Sequence, residues 1–100
     1  MTKATHEYSY PLRSEWSTAE VTTVMAFYNA VEEAYEGGTA TADLLDAYAA
    51  FKTVVSDKMT EKQLDAAFTE ASGYSLYRAV QAAKQAAGPT VQLTGGEQRG

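Results

Sequence analysis

Between Ser17 and Gly88 the apolar residues recur at helical spacing, and the pattern predicts four helices. In the first, Val21, Val24, Met25, Tyr28, Val31 and Tyr35 fall three or four residues apart and form one stripe. Ser17-Thr18-Ala19-Glu20 opens it with a capping box, in which hydroxyl and carboxylate satisfy free amides reciprocally. Trp16 and Val21 flank that cap as a hydrophobic staple, and Gly37-Gly38 ends the helix. A second helix starts at Thr39 or Thr41, with Asp43 near its positive end, and carries Leu44, Leu45, Tyr48, Phe51, Val54 and Val55. A third is capped by Ser56 or by the Thr60-Glu61-Lys62-Gln63 box; it carries Leu64, Ala67, Phe68 and Ala71 and closes at Ser72-Gly73. A fourth begins near Ser75, carries Leu76, Tyr77, Val80, Ala83 and Ala87, and stops at Gly88-Pro89.

The flanks behave differently. Residues 1–16 hold Tyr8, Tyr10, Leu12 and Trp16, too apolar for simple disorder, and Pro11 biases Tyr10 toward extended backbone. They predict an ordered arm lying across the bundle. Residues 88–100 have Gly95-Gly96 and little apolar anchoring, and read as a mobile tail. Val91-Gln92-Leu93 alternates but is too short to count as a strand. The expected fold is all-α: one domain of three to four short helices over 17–87, with short connections that favour antiparallel neighbours.

Composition narrows the chemistry. With 100 residues the chain makes one domain with a modest core. It has no cysteine, which excludes disulfide scaffolds, thiolate metal sites and cysteine nucleophiles. The one histidine, His6, lies where chains usually fray and reads as exposed and silent. No apolar run approaches a membrane span, and the N-terminus lacks a charged-then-apolar signal pattern, so a cytoplasmic location is expected. Phosphate-binding glycine motifs are missing. Glu32 and Glu36 share a helix face, as do Glu61 and Asp65, but nothing in the pattern buries either pair; they read as solvated faces. No Glu-x-x-His pair is present for a di-metal bundle. No metal, cofactor or catalytic residue is expected, and the chain is read as a non-enzyme.

The net charge of −5 is unevenly spread. Residues 17–36 carry Glu20, Glu32, Glu33 and Glu36 with no cation, whereas 74–87 carry Arg78 and Lys84 with no acid. The simplest arrangement sets an acidic first helix near a basic last one. An acidic chain also repels phosphate backbones, which disfavours nucleic acid. One segment argues the other way. Phe68, Gly73, Tyr74 and Ser75 partly match a helix-turn-helix whose second helix would expose Arg78, Gln81, Lys84 and Gln85. Thr69, where that motif wants a small residue, and the thin positive charge weaken the match. A plain helical hairpin explains the same residues.

Seven tyrosines are the unusual feature. Tyr28, Tyr35 and Tyr48 sit on helical stripes and predict core-edge rings with hydroxyls reaching water. Tyr8, Tyr10, Tyr74 and Tyr77 could line a peptide-binding surface, since tyrosine is favoured at interfaces.

Several segments together resemble a known family: Tyr8-Ser9-Tyr10-Pro11, Glu15-Trp16-Ser17-Thr18 with Glu20, Phe27, Val31-Glu32 with Ala34-Tyr35-Glu36, Leu44-Leu45 with Ala47-Tyr48, Phe51-Lys52, Glu61-Lys62-Gln63-Leu64, and Ser72-Gly73-Tyr74-Ser75 with Tyr77-Arg78. Over roughly residues 7–86 the chain resembles uncharacterised protein family 0223, small cytoplasmic proteins of low-GC Gram-positive bacteria. The resemblance implies an all-helical domain and no assigned activity. It singles out the first and last of these segments, which are expected to pack together. Arg78 is expected to bond to arm carbonyls or to a glutamate of the first helix. The candidate interaction surface is therefore Tyr8, Tyr10, Tyr74, Tyr77 and Arg78, suited to a protein partner not identified by the sequence. The small residues Ala82, Ala83, Ala86 and Ala87 would also suit a homodimer. The expected function is a non-enzymatic interaction or regulatory module, with a helix-turn-helix-like nucleic-acid binder as the alternative.

Overall fold

The capping box forms as the sequence predicts. The Glu20 amide donates to the Ser17 hydroxyl (3.1 Å) and the Ser17 amide to the Glu20 carboxylate (2.9 Å), and helix α1 runs from Thr18 to Glu36. The structure is a computed structural model and describes residues 10–94. Three further helices follow, α2 (Thr41–Val54), α3 (Lys58–Ser72) and α4 (Leu76–Gln85). The protein is an all-α bundle with one addition, a two-stranded antiparallel ladder of β1 (Thr39–Ala40) and β2 (Thr90–Val91).

That ladder corrects two expectations, that no strand would form and that a mobile tail would begin at residue 88. Helix α2 starts at Thr41, but its N-cap is Ala40, which has no side-chain acceptor to offer. The chain beyond α4 supplies the acceptors instead. The Thr41 amide donates to the Pro89 carbonyl (2.8 Å) and its hydroxyl to the Gly88 carbonyl (3.2 Å). Thr39 then pairs with Val91 and Ala40 with Thr90, Val91 is buried, and the Leu93 amide donates to the Ala34 carbonyl near the end of α1 (2.8 Å). Orphan groups at two helix ends are satisfied by one returning segment. Gly38 enters the ladder at φ +110°, a conformation that favours glycine. The rest of the tail, with Gly95-Gly96, lies outside the described residues, as do His6 and Tyr8.

Smaller differences concern caps. Helix α3 is capped by Asp57, not by Ser56 or the Thr60 box: the Thr60 amide donates to the Asp57 carboxylate (2.8 Å) and holds that carboxyl below its usual range. Gly73, in the left-handed conformation at φ +83°, closes α3 as expected. Helix α4 ends at Gln85, so Ala87 is not on its stripe and neither is Tyr77, which is 65% exposed.

The core gathers around Tyr28. Its ring is fully buried and lies against Phe68 (centroids 4.9 Å) and Phe51 (6.4 Å), and Phe51 in turn packs on Phe27 (4.7 Å). These rings span the gap between α1, α2 and α3. The Tyr28 hydroxyl donates to the Pro11 carbonyl (2.7 Å), and Tyr10 stacks over Tyr28 (6.0 Å). One buried phenol therefore joins the core to the arm, and burial pushes its ionisation above the ordinary tyrosine range. Tyr28, Tyr35 and Tyr48 do not send their hydroxyls to water as expected; all three bond to protein groups.

Candidate functional site

The structure splits the predicted surface into two regions. Tyr10 and Tyr74 meet α1 along one edge. The Tyr10 hydroxyl donates to Glu32 (2.8 Å) and the Tyr74 hydroxyl to Glu36 (2.9 Å), one helical turn further on. Tyr74 also stacks flat on Tyr35 (4.5 Å, 5°), whose hydroxyl accepts from the Ser75 amide (3.2 Å). Burial, then the hydrogen bond to the Glu36 carboxylate, pushes the Tyr74 phenol up to about 12. The arm and the α3–α4 turn thus each dock on α1, whereas the expectation was that these two segments pack on one another. Tyrosine hydroxyls make the bonds there. Arg78 instead stands exposed on α4, and its guanidinium forms no ion pair among the described residues. The acidic edge of α1 is matched by phenols, not by the cations of α4.

Tyr77 turns the other way. One helical step rotates by 100°, so Tyr77, Gln81 and Lys84 follow one another at i, i+4 and i+7 on a flank of α4 away from Tyr74 and Arg78. All three line a cleft of about 170 Å³ between α2, α3 and α4. Its floor is core: Phe27, Leu76 and Val80. The Tyr48 ring forms the wall on α2.

The acids of this cleft are engaged. Glu61 accepts from Lys52 (2.6 Å) and from the Tyr48 hydroxyl (2.9 Å). Burial alone would raise the Glu61 carboxyl; those two hydrogen bonds, with the Lys52 and Lys58 charges, outweigh it and hold the group below its usual range. Burial and the same bond push the Tyr48 phenol up to about 12. Asp65 accepts from the amides of Leu76 (2.8 Å) and Tyr77 (3.3 Å) and so caps α4 from α3. The reading of Glu61 and Asp65 as a solvated pair is therefore corrected: both are half-buried and bonded to other elements. A signal existed, since Tyr48 and Lys52 on α2 stand four apart and complement Glu61 in hydrogen bonding and charge.

The lysines are not so engaged. Lys58, Lys62 and Lys84 line the cleft, and none forms an ion pair among the described residues. Lys84 lies over the Tyr48 ring, 5.8 Å from its centroid. Of the small residues expected to suit a homodimer, Ala83 is in the core, Ala82 is half-buried on α4, and Ala86 and Ala87 lie past the last helical residue.

Comparison with known proteins fits these elements. The sequence profile of the uncharacterised protein family UPF0223 matches residues 7–92. The chain belongs to this family. It is 60% identical over 84 residues to the UPF0223 protein of Streptococcus thermophilus (strain CNRZ 1066), covering 84% of this chain and 88% of that one. It is 55% identical over 80 residues to the UPF0223 protein of Streptococcus mutans, covering 80% and 87%. The UPF0223 match takes in the arm from before Tyr10, all four helices and both strands, so both regions described above lie within it. In this UPF0223 chain no three of His, Cys, Asp and Glu gather to hold a metal among the described residues, and no helix among them is long and apolar enough to cross a membrane.

For chemistry, the cleft offers an apolar floor, an aromatic wall and cations on its rim. Among the described residues lining it there is no histidine, and its two carboxylates already have partners. At about 170 Å³ it falls below the roughly 300–1,000 Å³ of sites that enclose a drug-sized ligand. It is close to the ~150 Å³ that admits a benzene ring. One aromatic ring or branched aliphatic side chain fills such a volume.

Proposed function

We propose that this UPF0223 protein is a small, non-enzymatic, cytoplasmic interaction module that binds another protein through the face of α4 bearing Tyr77. The observation that carries the reading is the contrast at this face. A tyrosine left 65% exposed stands beside a cleft whose apolar floor is continuous with the core, and aromatic residues so placed are typical interface anchors. Enzyme chemistry is disfavoured because a general base needs a free, suitably placed titratable group, and Glu61 and Asp65 are committed to Lys52, Tyr48 and the α4 amides. Nucleic-acid binding is disfavoured by the same aspartate. A helix-turn-helix presents the start of its second helix to DNA, whereas here Asp65 lies on the first amides of α4 and would repel phosphate.

The test is capture from a streptococcal lysate with the tagged full chain, followed by titration of the purified captured protein. A stoichiometric complex that weakens when Tyr77→Ala is introduced supports the reading. Failure of every purified candidate to bind, or binding unchanged by Tyr77→Ala, overturns it.

A further inference from the structure

We infer that the cleft between α2, α3 and α4 receives an acidic segment of a partner protein, anchored by one aromatic or leucine side chain. The inference deepens the interaction reading and rests on it. It comes from charge. The chain carries 13 acids and 8 Lys+Arg, yet three lysines stand around one cleft. The two acids among its lining residues, Glu61 and Asp65, answer them only in part, and Lys52 adds a further cation beside Glu61. Glu61 is matched by Lys52 and Tyr48, and Asp65 by the N-terminal amides of α4. Lys58, Lys62 and Lys84 therefore leave a positive rim around an apolar floor on an otherwise acidic molecule. A complementary partner is apolar at its centre and acidic at its edges.

Size and geometry restrict that partner further. A cleft of about 170 Å³ takes one ring or one branched aliphatic side chain, not a row of anchors. Lys58 and Lys62 stand one turn apart on α3, and Lys84 stands across the cleft on α4 over the Tyr48 ring. Carboxylates on both sides of the anchor would meet cations on both walls. Tyr77, already exposed, would close over the inserted side chain.

The test pans a displayed library of random seven-residue peptides against the immobilised full chain. Selected peptides are then synthesised and titrated against the 15N-labelled protein at low and high salt. The expected consensus is a single Phe, Tyr, Trp or Leu flanked by Asp or Glu. Binding should weaken at least about tenfold in the Lys58→Glu, Lys62→Glu, Lys84→Glu variant and by less in the corresponding triple Gln variant, which keeps the test valid if charge reversal impairs folding. High salt should weaken wild-type binding, and amide shifts should centre on Tyr48, Lys62, Tyr77 and Lys84. A neutral or basic consensus, equal binding by the Gln variant, or no enrichment overturns the inference. So does concentration-dependent self-association abolished by the Gln variant, which would assign the cleft to a second copy of this chain. Lysate capture alongside separates the two claims. A purified partner held equally by wild type and Gln variant, yet weakened by Tyr77→Ala, keeps the interaction module and overturns the acidic segment. No partner and no peptide overturns both.

Discussion

Tyr74 and Tyr77 stand three residues apart at the start of α4, and their situations differ in every respect. Tyr74 lies flat against Tyr35, donates to Glu36, and belongs to a seam along α1 on which the arm and the α3–α4 turn each dock. Tyr77 stands 65% exposed beside a cleft whose three lysines have no ion-pair partner among the described residues. Both regions are built from tyrosines and charges. In the seam each charge meets a phenol across elements, so the polar groups fix one packing arrangement. In the cleft the acids are satisfied and the cations are left over. The difference separates residues that hold the fold from residues available to a partner, although both kinds look alike as composition.

Damage beneath the seam should have the largest consequence. Phe68 is fully buried and carries both Tyr28 (4.9 Å) and Tyr10 (6.4 Å) on its ring. Phe68→Ala should destabilise the protein by about 3–5 kcal/mol, read by chemical denaturation, and should loosen the arm with the core. A loss below about 1 kcal/mol would mean that the arm does not depend on the core and would undo the comparison.

Alkaline pH should come next, because it attacks the phenols of seam and core together. Tyr74 and Tyr48 are held up at about 12 in the native state, against roughly 10 for a free tyrosine. The folded protein then keeps protons that the unfolded chain releases. Their contribution is complete below pH ~10 and is lost as pH rises through about 12. Denaturation followed from pH 8 to 12 should show stability falling only over the upper part of that range. Tyr74→Phe should make the fall shallower; an unchanged slope would remove Tyr74 from the seam's electrostatics. At neutral pH the same substitution should cost about 0.5–1.5 kcal/mol, the usual net worth of one hydrogen bond.

How much of this could be read from the chain depends on distance along it. The four helices, the capping box at Ser17 and the glycine stop at Gly73 were legible because each rests on residues within a few positions of one another. The ladder was not. Two-residue strands have no periodicity to detect, and β2 forms because Thr41, about 50 residues earlier, lacks a local cap and finds the Pro89 carbonyl. The candidate site was half legible. Tyrosine composition and two distinctive segments pointed to Tyr10, Tyr74 and Tyr77, and the first two do share an edge of α1. All four acids read as solvated became engaged because their partners come from other elements: Tyr10 for Glu32, Tyr74 for Glu36, Lys52 and Tyr48 for Glu61, and the α4 amides for Asp65. The lysine rim was missed for a related reason. Lys58 and Lys62 lie on α3 and Lys84 on α4, and only the packing of those helices brings them to one cleft.

The smallest expected effect is the sharpest test of the comparison. Tyr77 is the exposed counterpart of Tyr74, and its backbone amide, not its ring, bonds to Asp65. Tyr77→Ala keeps that amide and the Asp65 cap, and alanine suits the first turn of a helix at least as well as tyrosine. Stability should change by no more than about 0.5 kcal/mol in either direction, the ordinary range for a surface substitution. Lys62→Ala, also exposed and without an ion pair among the described residues, should behave in the same way. Paired denaturation curves of these variants and of Tyr74→Phe decide the matter. If Tyr77→Ala costs as much as Tyr74→Phe, the cleft wall is part of the fold's own packing and is not a surface held open for a partner. If it costs nothing, an aromatic ring stands in water beside an apolar cleft with no structural duty there, and binding becomes its physical justification.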